Sequence, residues 1–154
     1  MVATRKDTMK RLLFVVAVAL AFASVASASS GPNATAVVKG LSKSGMPIKG
    51  YVAYTAETDP NHLLGRPAQY TSKVNFHDGR LPRAAKYDTT GGGSIETFAN
   101  HADAVRRFKY VEAIAQSPMF AEYDYLNGTV LLRLSSVLTP KQAAAYKRVL
   151  LRIT

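Results

Sequence analysis

The chain of 154 residues contains neither cysteine nor tryptophan. Without cysteine there can be no disulfide, no thiolate zinc site and no thiol nucleophile. The fold therefore has to rest on its core. Without tryptophan the strongest sugar-stacking platform is missing, although eight tyrosines remain. Acidic residues are scarce: 10 Asp and Glu stand against 20 Lys and Arg, for a formal charge of +10. Several motifs are absent as well. No pair of histidines has H-E-x-x-H spacing, and no serine sits in a G-x-S-x-G elbow. Gly91-Gly92-Gly93 leads into a strand rather than a helix, so it lacks the geometry of a phosphate loop and reads as a flexible loop. Nothing in the sequence asks for a metal or a cofactor.

What is present begins at the N-terminus. Lys10 and Arg11 precede an apolar run from Leu12 to Ala23, and Ala26-Ser27-Ala28 follows as a small-residue exit. Charged start, apolar middle and small-x-small end predict a secretory signal peptide over 1–28. Met9-Lys10-Arg11 could also open it. The run is too short and too interrupted by serine for a spanning helix, and no later segment is long enough to span. Cleavage would remove Arg5, Lys6, Lys10, Arg11 and Asp7, taking the charge from +10 to +7. A small exported domain of that charge is suited to an anionic cell-wall polymer or an acidic extracellular protein. Export argues against a nucleic-acid partner.

Residues 29–45 are rich in Ser, Gly, Ala and Thr and read as a flexible lead-in, with a short strand at Ala36–Val38. A single domain over 46–154 follows. Lys49–Ala56 and Tyr70–His77 read as strands. Between them, Asp59-Pro60 and Gly65 have the cap, first-turn and stop residues of a short helix. Residues 78–93 read as a long exposed loop. Ser94–Ala99 is a strand, and Asn100 caps a helix whose apolar face is Ala104, Val105, Phe108, Val111, Ile114 and Ala115. Ser117-Pro118 ends it. Asn127-Gly128 is the turn of a hairpin between Glu122–Leu126 and Thr129–Ser135, expected as type I′. Thr139-Pro140-Lys141-Gln142 is a capping box opening a last helix, with Ala143, Tyr146, Val149 and Leu150 toward the core. The order predicts an α+β domain: an antiparallel sheet with two helices on one face, in a ferredoxin-like split β-α-β arrangement.

Asp59-Pro60-Asn61-His62-Leu63-Leu64-Gly65-Arg66-Pro67, followed by Tyr70-Thr71-Ser72-Lys73, resembles a block found in small secreted proteins and lipoproteins of actinobacteria. Glu122-Tyr123-Asp124-Tyr125, Val130–Leu134 and Leu138-Thr139-Pro140 fit the same group. The resemblance implies an exported envelope protein. It carries no catalytic residue with it. The lipobox cysteine of many such proteins is missing, which implies release or wall retention rather than a lipid anchor.

The densest polar cluster is Asp59, Asn61, His62, Arg66, Tyr70 and Lys73. It fits an anion or peptide pocket with Arg66 as a forked donor, although the simpler reading is a set of caps and stops that shape the chain. His62 or His77 with a carboxylate would suit a small hydrolase. Glu96, Glu112, Glu122 and Asp124 include possible carboxylate pairs. Arg106, Arg107, Lys109, Lys147, Arg148 and Arg152 form basic helix faces. The reading that best fits is a secreted binding module of the cell envelope. A small secreted hydrolase and an inhibitor of a secreted enzyme are the alternatives.

Overall fold

In a computed structural model, residues 31–83 and 88–154 are described. The signal segment expected over 1–28 lies outside them, as do residues 84–87 of the loop before the third strand. Nine elements follow one another: α1 (Ala34–Lys43), β1 (Ile48–Ala53), β2 (Ser72–Asp78), β3 (Gly92–Thr97), α2 (His101–Ala115), a 3-10 turn (Pro118–Phe120), β4 (Glu122–Asn127), β5 (Val130–Ser135) and α3 (Pro140–Ile153). The five strands form one antiparallel sheet in the order β1-β2-β3-β5-β4. The domain is α+β, as the sequence predicts.

Residues 34–43 are helix, not a flexible lead-in, and no strand forms at Ala36–Val38. Composition misleads here, but spacing does not. Ala34, Val37, Val38 and Leu41 recur at i, i+3, i+4 and i+7, and all four are buried. Asn33 caps the helix by accepting from the Thr35 N–H at 2.8 Å.

Because side chains alternate across a strand, the sheet has two different faces. Val74, Phe76, Ile95, Leu132 and Leu134 lie on one, under α1 and α3, with Val37, Leu41, Tyr146 and Leu150 completing the core. Two helices do share a face, but they are α1 and α3. Helix α2 packs on the opposite face, where Ala104 and Val111 meet Tyr70, Phe98 and Leu131. On α3 all four residues expected in the core are buried, and both halves of the Thr139–Gln142 capping box form.

Three local expectations give way. Asp59 to Gly65 forms consecutive turns instead of a helix, because His62 and Gly65 both adopt positive φ (52° and 78°). Gly92 and Gly93 belong to β3 rather than to a flexible loop. A Cβ at Gly92 would stand 2.3 Å from the Phe76 carbonyl oxygen, and one at Gly93 would stand 2.5 Å from that of Arg133. The hairpin loop is Gly128-Thr129, flanked by the paired residues Asn127 and Val130. Only Gly128 has positive φ (55°), which fits a type II′ turn rather than I′.

Candidate functional site

Of the six clustered candidates, Asp59, Asn61, Tyr70 and Lys73 come together. The Asp59 carboxylate is wholly buried. It accepts from the Tyr70 hydroxyl at 2.6 Å, from Lys73 Nζ at 2.9 Å and from the Leu63 and Leu64 N–H groups at 2.9 and 3.1 Å. The Asn61 side-chain amide donates to the Tyr70 oxygen at 3.3 Å. Lys73 Nζ stands 5.3 Å from the ring centres of both Tyr54 and Tyr70. Burial pushes the Asp59 pKa up, but the bonds from Lys73 and Tyr70 outweigh it and hold the group well below the usual carboxylate range. Burial and the bond to Asp59 push the Tyr70 phenol up. These groups satisfy one another around the turns that lead into β2. His62 and Arg66 are exposed and make no side-chain hydrogen bond to a described residue.

Neither His62 nor His77 bonds a carboxylate among the described residues. Asp78, next to His77, is taken instead by Arg80 at 2.6 Å and by the Tyr146 hydroxyl at 2.8 Å. The basic face expected on α2 is smaller than its sequence suggests. Arg107 turns inward to Glu96, and Arg106 pairs with Asp103.

A second polar cluster occupies the face of the sheet under α2. Arg107 donates from Nε and Nη2 to the two oxygens of Glu96, at 2.8 and 3.1 Å. Arg133 donates to Glu96 at 3.3 Å and to both oxygens of Glu122, at 2.9 and 3.1 Å. Asp124 Oδ1 lies 4.0 Å from Arg133 Nε, beyond hydrogen-bonding range. It is buried and has no hydrogen-bond partner. Burial, then the charge of Glu122, push the Asp124 carboxyl up to about 7; Arg133 opposes this only in part.

No protein-family model, curated protein or solved structure matches the chain. The arrangement of side chains is therefore the basis for any reading of the site.

Outside these clusters, a groove of about 460 Å³ runs between α1 and the edge strand β1. Lys39 and Lys43 line it from α1, Lys49 and Tyr51 from β1, and no carboxylate lines it. All three lysines are exposed, and none makes an ion pair with a described residue. Sequence inspection missed this site because α1 was not recognised as a helix. Once it is, Lys39 and Lys43 fall at i and i+4 on one face.

Proposed function

We infer that the protein is an exported, non-enzymatic binding module of the cell envelope that holds an anionic polymer along the groove between α1 and β1. The reading is carried by how the charges are used. Five carboxylates, Asp59, Asp78, Glu96, Asp103 and Glu122, are held by arginine or lysine side chains, and Asp124 stands 4.0 Å from Arg133. Only Glu57, Asp88 and Glu112 remain outside ion pairs among the described residues, against ten lysines and arginines in the same condition. The interior takes the negative charge and the surface keeps the positive. Such a surface attracts polyanions at long range. Three lysines along one groove would supply point contacts to successive phosphate or carboxylate groups, and the half-exposed Tyr51 would offer a ring to a sugar face.

The export part of the reading rests on the N-terminal sequence pattern and the resemblance to actinobacterial envelope proteins. The inhibitor and hydrolase readings gain no support from the arrangement of His62, His77 and their neighbours.

The test is co-sedimentation of the purified protein with insoluble envelope material and with a soluble polyphosphate, at low and at high salt. Binding at low salt that falls steeply with added salt is expected. The triple variant Lys39→Glu, Lys43→Glu, Lys49→Glu should lose most of it while keeping its fold, because all three side chains are exposed. Undiminished binding by this variant would overturn the assignment of the groove. No binding at low salt would overturn the function.

A further inference from the structure

Three of the six large apolar side chains exposed among the described residues gather around one cleft. Met119 is 83% exposed, Val137 65% and Phe120 56%, and all three line a cavity of about 240 Å³ together with Ile114. Isolated exposed apolar residues are ordinary, but a cluster around a concavity marks a contact site. The polar wall of the cleft is ionic: Asp88, Glu122 and Arg133 reach it.

The charge of that wall defines the missing partner. Arg107, Glu96, Arg133 and Glu122 form a chain of alternating sign that balances itself. Asp124, adjoining Arg133, does not line the cleft; only 4% of its side chain is exposed, and burial and Glu122 favour its protonated form. Asp88, whose Oδ1 accepts from Thr90 and from the Gly91 N–H, also lines the cleft. Among the described residues that line the cleft, two carboxylates, Glu122 and Asp88, face one arginine, Arg133. An anion would face Glu122 and Asp88. A divalent metal would need more ligands than these, and no group of three or more potential metal ligands gathers among the described residues.

We propose that this cleft binds a small organic monocation with an apolar stem, a free primary amine or guanidine. Its charged head lies against Glu122 and Asp88, and its stem lies on Met119, Phe120 and Val137. The volume suits a small free molecule better than a macromolecular segment, and the Phe120 ring gives the stem a broad apolar contact.

Occupation would also move a proton. The charged groups facing Asp124 are Glu122 on its own strand, Arg133 on β5 and Glu112 from α2, with the Glu96–Arg107 pair behind Arg133. A cation beside Glu122 favours the ionised form of Asp124, so binding near neutral pH releases a proton.

The probes are hexylamine, hexanol and hexanoate, titrated into the full chain and followed by amide NMR shifts and by calorimetry in two buffers of different ionisation enthalpy. Hexylamine is expected to saturate, with its shifts centred on residues 118–121 and 136–138. Hexanol and hexanoate should bind at least tenfold more weakly. Proton release should accompany amine binding at pH 7 and vanish in Asp124→Asn. Phe120→Ser, an exposed change that should leave the fold intact, should weaken hexylamine at least several-fold. Equal binding of hexanol would mean an apolar surface without charge selection and would overturn the proposal. So would preference for hexanoate, absence of saturation, or amine binding without proton release.

Discussion

The two faces of the sheet are built from alternate residues of the same strands, and they are stabilised differently. Val74, Phe76, Ile95 and Leu132 pack under α1 and α3 by apolar contact. One residue along in each case, Lys73, Glu96 and Arg133 lie on the other face and hold Asp59, Arg107 and Glu122 by directed bonds. Apolar packing is graded: a smaller side chain costs the contacts and volume it removes. An ionic lattice is less forgiving, because deleting one partner leaves the other buried and charged. The α1–α3 face should therefore tolerate substitution by degrees, and the α2 face should fail one partner at a time.

The sharpest test of that difference is a rescue. Asp59→Ala leaves Lys73 unpaired and frees the Leu63 and Leu64 N–H groups, and should cost about 3–5 kcal/mol in urea denaturation. Adding Lys73→Met should recover much of this loss, since removing both charges removes the unmet one. Leu132→Ala on the apolar face should cost about 2–5 kcal/mol, with no second-site change of charge able to restore it. If Asp59→Ala is no worse alone than with Lys73→Met, the contrast between the faces is lost.

Acidity offers a second test, smaller in size. Asp59 and Asp78 have pKa values held below the ordinary carboxylate range, so their contribution is present above about pH 4 and is lost as pH falls. Asp124 works in the opposite sense. Its folded pKa, about 7, exceeds the unfolded value. Between about pH 4 and 7 the unfolded chain has released this proton and the native one keeps it, so stability falls with rising pH and levels off above 7. A stability maximum on the acid side of neutrality is expected. Asp124→Asn should flatten the decline from pH 5 to 8 and leave the acid limb in place. A wild-type curve already flat across that range would remove Asp124 as the cause.

The smallest effect belongs to the apolar face alone. Thr139→Ala deletes half of the capping box of α3 and should cost about 1 kcal/mol. It should lower the whole stability curve without changing its shape with pH. A change in that shape would mean that the two faces are coupled more closely than their separate clusters suggest.

The helices α2 and α3 were legible in sequence because each carries a capping residue and a run of apolar residues at helical spacing. The β4–β5 hairpin announced itself through glycine. Helix α1 was obscured by small residues that composition alone assigns to a linker. The ionic face was obscured for a different reason. Strand alternation turns Arg133 away from Val130, Leu132 and Leu134, but away from one core means into another, and only the path of α2 across the sheet decides that. The same holds for Arg107, which local spacing places on a wet surface. Asp59 could be named as a cap, yet its bonds to Tyr70 and Lys73 depend on how β2 returns beside it.

Helices α1 and α3 meet in one cluster, where Ile153 lies against Gly40. This imposes an order of assembly. A ribosome that has delivered the chain as far as β5 has supplied every strand, and all of α2, but nothing from α3 to cover Phe76 and Leu132. Until Tyr146 and Leu150 arrive, the half-built protein presents α1 and a bare apolar sheet face, a surface prone to aggregation. Holding factors that shield nascent chains would be needed most in that interval, and α3 acts as the closing step for this core.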